Sequence, residues 1–318
     1  MMTKGNDLTV VVTGAAGYLG SCVAATLLDA GHDVVPVDNF STGSVRSVRD
    51  QVVKRVDVRD RQAVRNVTKN ADAVIHLGAV SDVEASEQAP EHAFDVNVGG
   101  TENVAWVCRE RGIPLSFAGS VAVFGEPESF PLHPDRPRDP LNVYGVTKQM
   151  NEDDIRLLSS RTFPAHVFLM ANLFGAHGEG DDGMVRKRTV IDIFVNAARS
   201  NEPLTVYDPG TQARNFIHVK DVADAYRRSI ETLVNAEDGA TTYTVASDQV
   251  RSVLDIAEFV QEIAKDELGY VPPIERVKNP RDEAISEEFS METAPVVNDL
   301  GFNPSRTVED SIRQMLSR

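Results

Sequence analysis

Short apolar runs alternate along this chain with segments in which apolar residues recur at every third or fourth position. The first run, 8–13, is rich in β-branched residues and leads through a glycine turn into a segment where Leu19, Val23 and Leu27 have helical spacing. Later runs typical of buried strands lie at 34–37, 53–56, 73–77, 115–118 and 165–170, separated by helix-length segments such as 90–111 and 144–159. This alternation predicts an α/β fold with a doubly wound parallel sheet.

The pattern changes after Leu173. A glycine-rich loop, a helix and short strands near 204–206 and 215–217 predict a smaller α/β region beside the sheet. The segment 218–230 then carries Val219, Val222, Ala223 and Tyr226 on one helical face, which indicates a return to the first domain. We therefore predict a first domain over 1–172, with returns near 214–246, and a C-terminal region mainly over 173–318.

Composition and charge exclude several classes of function. No apolar run approaches the roughly 20 residues needed to cross a bilayer, and the N-terminus enters a strand without a signal pattern. We therefore expect a cytoplasmic protein without membrane contact. The formal charge of -16 repels nucleic acid and anionic membranes, so an anionic ligand has to meet local positive charge. Cys22 and Cys108 are expected to be buried thiols, and no residue spacing supports a metal site.

A glycine pattern indicates a dinucleotide site. Gly14, Gly17 and Gly20 follow the first strand and begin the first helix, where they allow a tight turn and close approach to a pyrophosphate. Asp38 ends the second strand, where a carboxylate accepts hydrogen bonds from both ribose hydroxyls and repels a 2′-phosphate. The pattern favours NAD, although Arg46 and Arg49 in the following loop leave NADP open.

Tyr144 and Lys148 stand four residues apart in a predicted helix, so their side chains share one face. A tyrosine base near neutral pH needs its pKa of about 10 lowered by roughly three units, which Lys148 and a positive nicotinamide ring can supply together. Ser120 follows the 115–118 strand at the carboxyl edge of the sheet, where its hydroxyl can hold a substrate oxygen. Each feature alone also fits a structural role, a helix surface for the pair and a strand-end cap for Ser120.

The order of these motifs resembles a known family. TGAAGYLG, VDNFSTG, DVRD, HLGAV, VNVGGT, FAGSVAVFG, YGVTK, MANLFGAHG, RNFIHVKDVA and LGFNP are similar to segments of the extended short-chain dehydrogenase/reductase superfamily, particularly its NAD-dependent nucleotide-sugar epimerase/dehydratase family. The resemblance implies a Rossmann-type NAD-binding domain followed by a substrate-binding region, with Ser120, Tyr144 and Lys148 as catalytic residues. The NAD site that it implies contains Gly14, Gly17, Tyr18, Leu19, Gly20, Asp38, Asn39, Ser41, Thr42, Gly43, Asp57, Val58, Leu77, Ala79 and Asn97, with Tyr144 and Lys148.

The same resemblance implies a substrate site for a nucleotide-diphosphate sugar, with a UDP-sugar favoured. Ser81 and Asn172 match substrate-binding positions, while Tyr207 and Arg214 match the positions that hold the nucleotide base and the diphosphate in relatives. Arg281 aligns loosely with a second diphosphate arginine. Relatives are commonly homodimers through two helices from each subunit, here 93–108 and 144–158.

Two positions beside Ser120 narrow the reaction. The family's 4,6-dehydratases have Asp-Glu after the catalytic hydroxyl residue, and its decarboxylating members usually keep the Glu, whereas this chain has Val121 and Ala122. We therefore predict a UDP-hexose 4-epimerase that oxidises C4 transiently. A net oxidoreductase of a sugar or another ketone on this fold stays open. A non-catalytic NAD-sensing protein is disfavoured because a sensor needs no base.

Overall fold

The computed structural model describes residues 7–178, 185, 187, 189–279 and 286–317. Its helices are α1 (Tyr18–Asp29), α2 (Arg61–Val67), α3 (Val83–Gln88), α4 (Pro90–Phe94), α5 (Gly100–Arg111), α6 (Val143–Ser159), α7 (Val190–Arg199), α8 (Val219–Leu233), α9 (Val253–Leu268), α10 (Ala294–Leu300) and α11 (Val308–Leu316). Its strands are β1 (Thr9–Thr13), β2 (Asp33–Asp38), β3 (Ser47–Val48), β4 (Gln51–Val52), β5 (Lys54–Arg55), β6 (Ala73–His76), β7 (Leu115–Ala118), β8 (Pro164–Met170), β9 (Asn172–Phe174), β10 (Leu204–Tyr207), β11 (Ala213–His218), β12 (Gly239–Val245), β13 (Val250–Ser252) and β14 (Ile274–Val277).

Seven parallel strands form the central sheet in the order β12-β8-β7-β6-β1-β2-β5. From β1 the strands are added towards β5 on one side of the sheet, and from β6 they are added on the other side of β1. The carboxyl ends of β1 and β6 therefore flank the crevice where such sheets bind ligands. Helices α1 and α8 pack together on one face, while α2, α5 and α6 lie on the other. The doubly wound parallel sheet predicted from the sequence is confirmed.

The predicted strand at 53–56 is shorter in the structure. Only Lys54 and Arg55 pair, opposite Val37 and Asp38 of β2. An edge strand has a single neighbour, and its flanking valines are buried in the core instead of extending the ladder. The position of this edge strand, β5, was therefore predicted correctly but its length was not.

The predicted helix at 90–111 is interrupted by one turn of π-helix. Helix α4 passes through a π-turn at Asp95–Gly99 before α5 begins. The wider turn contains the fully buried Asn97, whose side-chain oxygen accepts a hydrogen bond from the Val80 backbone N–H at 2.8 Å. Turns of this kind are frequent at functional sites.

A second apolar core lies in the C-terminal part of the chain. Strands β9, β11 and β13 form one small sheet and β10 pairs with β14, while α7, α9 and α11 pack around them. Phe174, Phe194 and Ile256 are buried in this core. In contrast, β12 pairs along β8 of the large sheet, and α8 packs on that sheet. No helix within the described ranges is long and apolar enough to cross a membrane.

Candidate active site

The turn between β1 and α1 lies at the crevice, and its Gly14 and Gly17, with Gly20 in the first turn of α1, are here called the glycine cradle. Gly14 has a φ of +70°, and a Cβ on it would lie 2.8 Å from the backbone of Leu77 and Gly78. A Cβ on Gly20 would lie 2.0 Å from the Gly14 carbonyl oxygen, so a side chain there would push α1 off the turn. Helix α1 begins after Gly17 without a side-chain cap, which leaves N–H groups of its first turn available to a phosphate.

Asp38 lies at the end of β2 and is only 8% exposed. Its Oδ2 accepts a hydrogen bond from the Ala16 N–H at 3.1 Å, and its Oδ1 accepts one from the Phe40 N–H at 2.6 Å. A carboxylate can accept about four hydrogen bonds, so two acceptor positions stay available for the hydroxyls of a ribose. The neighbouring Asn39 donates a side-chain hydrogen bond to Asp57 at 3.2 Å.

Asp57 and Val58 lie beyond the edge strand. Arg59 donates two side-chain hydrogen bonds to the Asp57 carboxylate, at 3.0 and 2.8 Å, and these lower the pKa of that carboxyl well below its usual range. Val58 is buried, and a Cβ on Gly100 of α5 would lie 2.6 Å from its side chain. This pair therefore joins the sheet edge near Asp38 to helix α5.

The loop of Ser41, Thr42 and Gly43 lies against the glycine cradle. The Ser41 N–H donates to the side-chain oxygen of Asn39 at 2.9 Å. A Cβ on Gly43 would lie 2.7 Å from Ala16, so this backbone approaches the cradle closely. The side chains of Ser41 and Thr42 are exposed.

Tyr18 joins the start of α1 to the loop after β9. Its hydroxyl donates to the carbonyl of Gly175 at 2.7 Å, and its ring lies 5.9 Å from that of His177. Leu19, Leu77 and Ala79 are partly buried at the ends of α1 and β6 that border the crevice.

Asn97 connects three segments around the site. Besides accepting from the Val80 N–H, it donates to the Val80 carbonyl at 3.1 Å and to the Thr147 hydroxyl at 3.0 Å. Asn97 thus holds the loop after β6 against the first turns of α6.

The three predicted catalytic residues come together where β7 and α6 meet. Ser120 accepts a hydrogen bond from the Ala122 N–H at 3.2 Å and so caps a 3-10 turn, Val121–Phe124, here called the 121–124 turn. Helix α6 begins after Asn142, whose side chain accepts from the Gly145 N–H at 2.8 Å and sets the first turn that contains Tyr144. The serine therefore has both a structural role as a cap and a place beside the tyrosine.

Burial dominates the electrostatics of this group. Burial raises the pKa of Tyr144, whereas its hydrogen bond with Ser120 lowers that pKa. Burial also lowers the pKa of Lys148 to about 7. The Lys148 ammonium donates to the Ala118 carbonyl at 2.7 Å and lies 5.8 Å from the centre of the Tyr144 ring. Desolvation of both residues therefore opposes a low pKa of Tyr144 among the protein groups, and the lowering expected from Lys148 together with a positive nicotinamide ring stays a prediction.

A buried polar network that was not predicted from the sequence lies beneath the site. The Thr13 hydroxyl is 2.6 Å from His76 Nδ1 and accepts from the backbone N–H groups of Leu77 and Gly78, each at 3.1 Å. The other ring nitrogen of His76 lies 3.0 Å from the Thr101 hydroxyl. The threonine that precedes Gly14 was a possible signal, but its partners come from distant segments.

Three of the five predicted substrate residues lie on the two small sheets. Asn172 of β9 and Arg214 of β11 lie in neighbouring strands, and the Asn172 amide donates to the Asn215 carbonyl at 3.2 Å. The Arg214 guanidinium lies 6.0 Å from the Phe289 ring. Tyr207 ends β10 and is 42% exposed.

The remaining two predicted substrate positions lie elsewhere. Ser81 is exposed in the loop after β6. Arg281 lies outside the described residues. Within the described part of the chain, no group of three or more His, Cys, Asp or Glu is arranged to hold a metal ion.

Comparison with known proteins identifies the family. Residues 10–246 match the model of the NAD dependent epimerase/dehydratase family. The chain belongs to this family. The resemblance found in the sequence is thereby confirmed, as is NAD as the cofactor of this family member.

Two relatives of this epimerase/dehydratase family member illustrate the similarity. A UDP-glucose 4-epimerase of Bacillus subtilis is 28% identical over 95% of this chain and 94% of its own length. UDP-glucose 4-epimerase 2 of Oryza sativa is 32% identical over 80% of this chain and 69% of its own length. Among solved structures, UDP-glucose 4-epimerase of Thermus thermophilus in complex with NAD is 25% identical, with a TM-score of 0.80 over 97% of this chain and 98% of that one.

The 121–124 turn carries no acidic or basic side chain next to Ser120. Val121 and Ala122 follow Ser120 directly and are partly buried beside it. Neither side chain can donate or accept a proton.

Proposed function

We propose that this chain is an NAD-dependent 4-epimerase that acts on a UDP-hexose. The observation that carries the proposal is the meeting of Ser120, Tyr144 and Lys148 at the crevice, next to a turn without an acid. Relatives named UDP-glucose 4-epimerase support it, because they align with nearly the whole chain.

The residues of the crevice fit a bound NAD. The glycine cradle admits a backbone-close pyrophosphate at the N-terminus of α1. Asp38 retains acceptor capacity for the adenosine ribose, and its negative charge disfavours a 2′-phosphate. Arg46, one of the two arginines in the following loop, lies 4.4 Å from the centre of the Phe40 ring.

In the proposed reaction, Tyr144 takes the proton of the sugar 4-hydroxyl while Ser120 hydrogen-bonds the same oxygen. Bound NAD+ supplies the acceptor for the C4 hydride and the donor for its return. Tyr144 gives its proton back once the hydride has returned to the opposite face of the 4-keto sugar. In its ammonium form Lys148 favours the phenolate, because a nearby positive charge lowers a tyrosine pKa.

Epimerisation requires the sugar to turn while the rest of the substrate stays bound. Arg214 is the proposed clamp on the diphosphate, since a guanidinium binds two phosphate oxygens at once and this protein is otherwise strongly acidic. We propose that Arg281 binds the diphosphate together with Arg214. Tyr207 contacts the nucleotide base in this proposal, and Asn172 and Ser81 contact the sugar.

The deciding experiment is incubation of the purified protein with UDP-glucose, UDP-galactose and their N-acetyl and uronic acid forms, followed by sugar analysis. We expect interconversion of a 4-epimeric pair without stoichiometric consumption of NADH. A net oxidoreductase would instead consume NADH or NAD+ in proportion to product. No interconversion of any pair, together with stoichiometric NADH use on a ketone, would refute the epimerase assignment.

The assembly proposed for this protein is a homodimer, in a cytoplasmic location. Helix α6 exposes Met150 and Leu157 on the face opposite its buried residues, with exposed fractions of 39% and 72%. Phe94 at the end of α4 is 36% exposed. Apolar side chains of this size along adjoining helices favour burial against a second copy.

A further inference from the structure

Arg138 and Glu152 form a buried ion pair behind the turn that Ser120 caps. Arg138 Nη2 lies 2.7 Å from Glu152 Oε1, and its Nε lies 2.9 Å from Oε2. The two side chains are only 11% and 3% exposed. This bidentate geometry requires the planar fork of arginine, which lysine cannot reproduce.

The Arg138 side chain also contacts the turn itself. Its guanidinium carbon lies 4.9 Å from the centre of the Phe124 ring. It donates to the carbonyls of Pro134, at 2.7 Å, and of Arg136. One side chain therefore links the segment before α6, the helix α6 itself and the 121–124 turn.

The segment that follows Arg138 packs closely on the turn. The Asp139 N–H donates to the Val123 carbonyl at 2.9 Å. A Cβ on Gly125 would lie 2.0 Å from the Asp139 carbonyl oxygen. Helix α6 packs on the same turn, because a Cβ on its Gly145 would lie 2.8 Å from the Ala122 carbonyl oxygen. A displacement of 138–140 therefore has to move the turn, and with it the serine that caps it.

We propose that Arg138, held by Glu152, is a positioning residue that sets the 121–124 turn and so aims the Ser120 hydroxyl at Tyr144. The proposal rests on the proposed epimerase function for its kinetic readout. Arg138 acts through Ser120 and makes no contact with Tyr144 among the described hydrogen bonds and ring contacts.

The test is Arg138→Lys, which keeps the positive charge and removes the planar guanidinium that makes the two bonds to Glu152. The matched control is Arg65→Lys, because Arg65 makes a similar bidentate pair with Glu110, at 3.0 and 2.5 Å, between α2 and α5. For UDP-glucose we expect kcat of Arg138→Lys to fall about tenfold or more with KM within about twofold, and both constants of Arg65→Lys to stay within about twofold. An unchanged kcat in Arg138→Lys overturns the proposal.

A double-mutant cycle separates positioning from general loss of stability. In a Ser120→Ala background, Arg138→Lys should lower kcat by less than about twofold, because the residue it positions is gone. An equal fold-loss in both backgrounds overturns the proposal. If Arg138→Lys does not fold, Glu152→Gln takes its place in the same cycle, since it keeps the size of the partner and weakens its charged bonds to Arg138 and Arg156.

Amide hydrogen exchange gives a readout that needs no substrate. In Arg138→Lys the amides of Val123 and Asp139 should exchange faster than in the wild type, while Arg65→Lys leaves them unchanged. Unchanged exchange at both amides overturns the positioning role. A wild-type protein that converts no UDP-hexose refutes the epimerase assignment instead, and the exchange result still decides the role of Arg138.

Discussion

Three buried histidines should make the stability of this protein depend on pH between 7.0 and 5.5. Burial and the charge of Lys148 lower the pKa of His76 to about 3. Burial lowers the pKa of His166 to about 4. Burial and nearby cationic groups lower the pKa of His218 to about 3. All three are at most 5% exposed and stay neutral in the native protein across this range.

Proton binding by the unfolded chain decides whether stability rises or falls with pH. In the unfolded chain each histidine has a pKa of about 6.5 and takes up a proton as the pH falls, whereas the native protein does not. Stability is therefore fully present above pH 6.5 and is lost as the pH falls towards the native pKa values. From pH 7.0 to 5.5 each histidine lowers the free energy of unfolding by about 1.3 kcal/mol, or about 4 kcal/mol for the three. Carboxyl groups contribute little in this range because their unfolded pKa values are about 4.

The measurement is urea unfolding followed by circular dichroism at the two pH values. His166 contacts the Ser229 hydroxyl at 2.9 Å, so His166→Gln keeps a hydrogen-bonding group and removes the titration. This variant should lose about 1.3 kcal/mol less than the wild type between pH 7.0 and 5.5. The control is His133→Gln, because the side chain of His133 is 55% exposed. A wild-type unfolding free energy that changes by less than about 1 kcal/mol would refute the reasoning.

Three further variants test the site and the assembly. Tyr144→Phe should still bind NAD but lose turnover by about 10²–10⁴-fold, the contribution of a positioned acid or base, and near-normal turnover would show that the base is another residue. Gly20→Ala places a Cβ 2.0 Å from the Gly14 carbonyl oxygen. This variant should lower the free energy of unfolding by about 1–3 kcal/mol and reduce the amount of bound NAD. The control is Gly99→Ala, which adds a Cβ with no atom within 4 Å. Leu157→Glu should convert a dimer to a monomer in light scattering, whereas Val297→Glu on α10 should not, and a dimeric Leu157→Glu protein would contradict the proposed interface.

Much of the crevice could be predicted because its signals are local. A β-branched strand that runs into glycines and then into a helical pattern specifies the cradle at Gly14 within a few residues. The helical spacing of Tyr144 and Lys148 likewise depends only on one helix, which the structure contains as α6. The edge strand at 53–56 was predicted too long because its length depends on the number of neighbouring strands.

The sequence by itself determined the order of the elements, the family and the identity of the candidate catalytic residues, since these depend on residue type and short spacing. Only the tertiary structure decided the pKa values of those residues and the contacts between distant segments around them. The pKa of Lys148 is set by its burial beneath the sheet edge, and the link from Asn97 to Val80 and Thr147 joins three separate segments. The bond from Arg138 to Glu152 spans a loop without periodicity. Burial and contacts between distant segments leave no local pattern, so only the folded chain contains them.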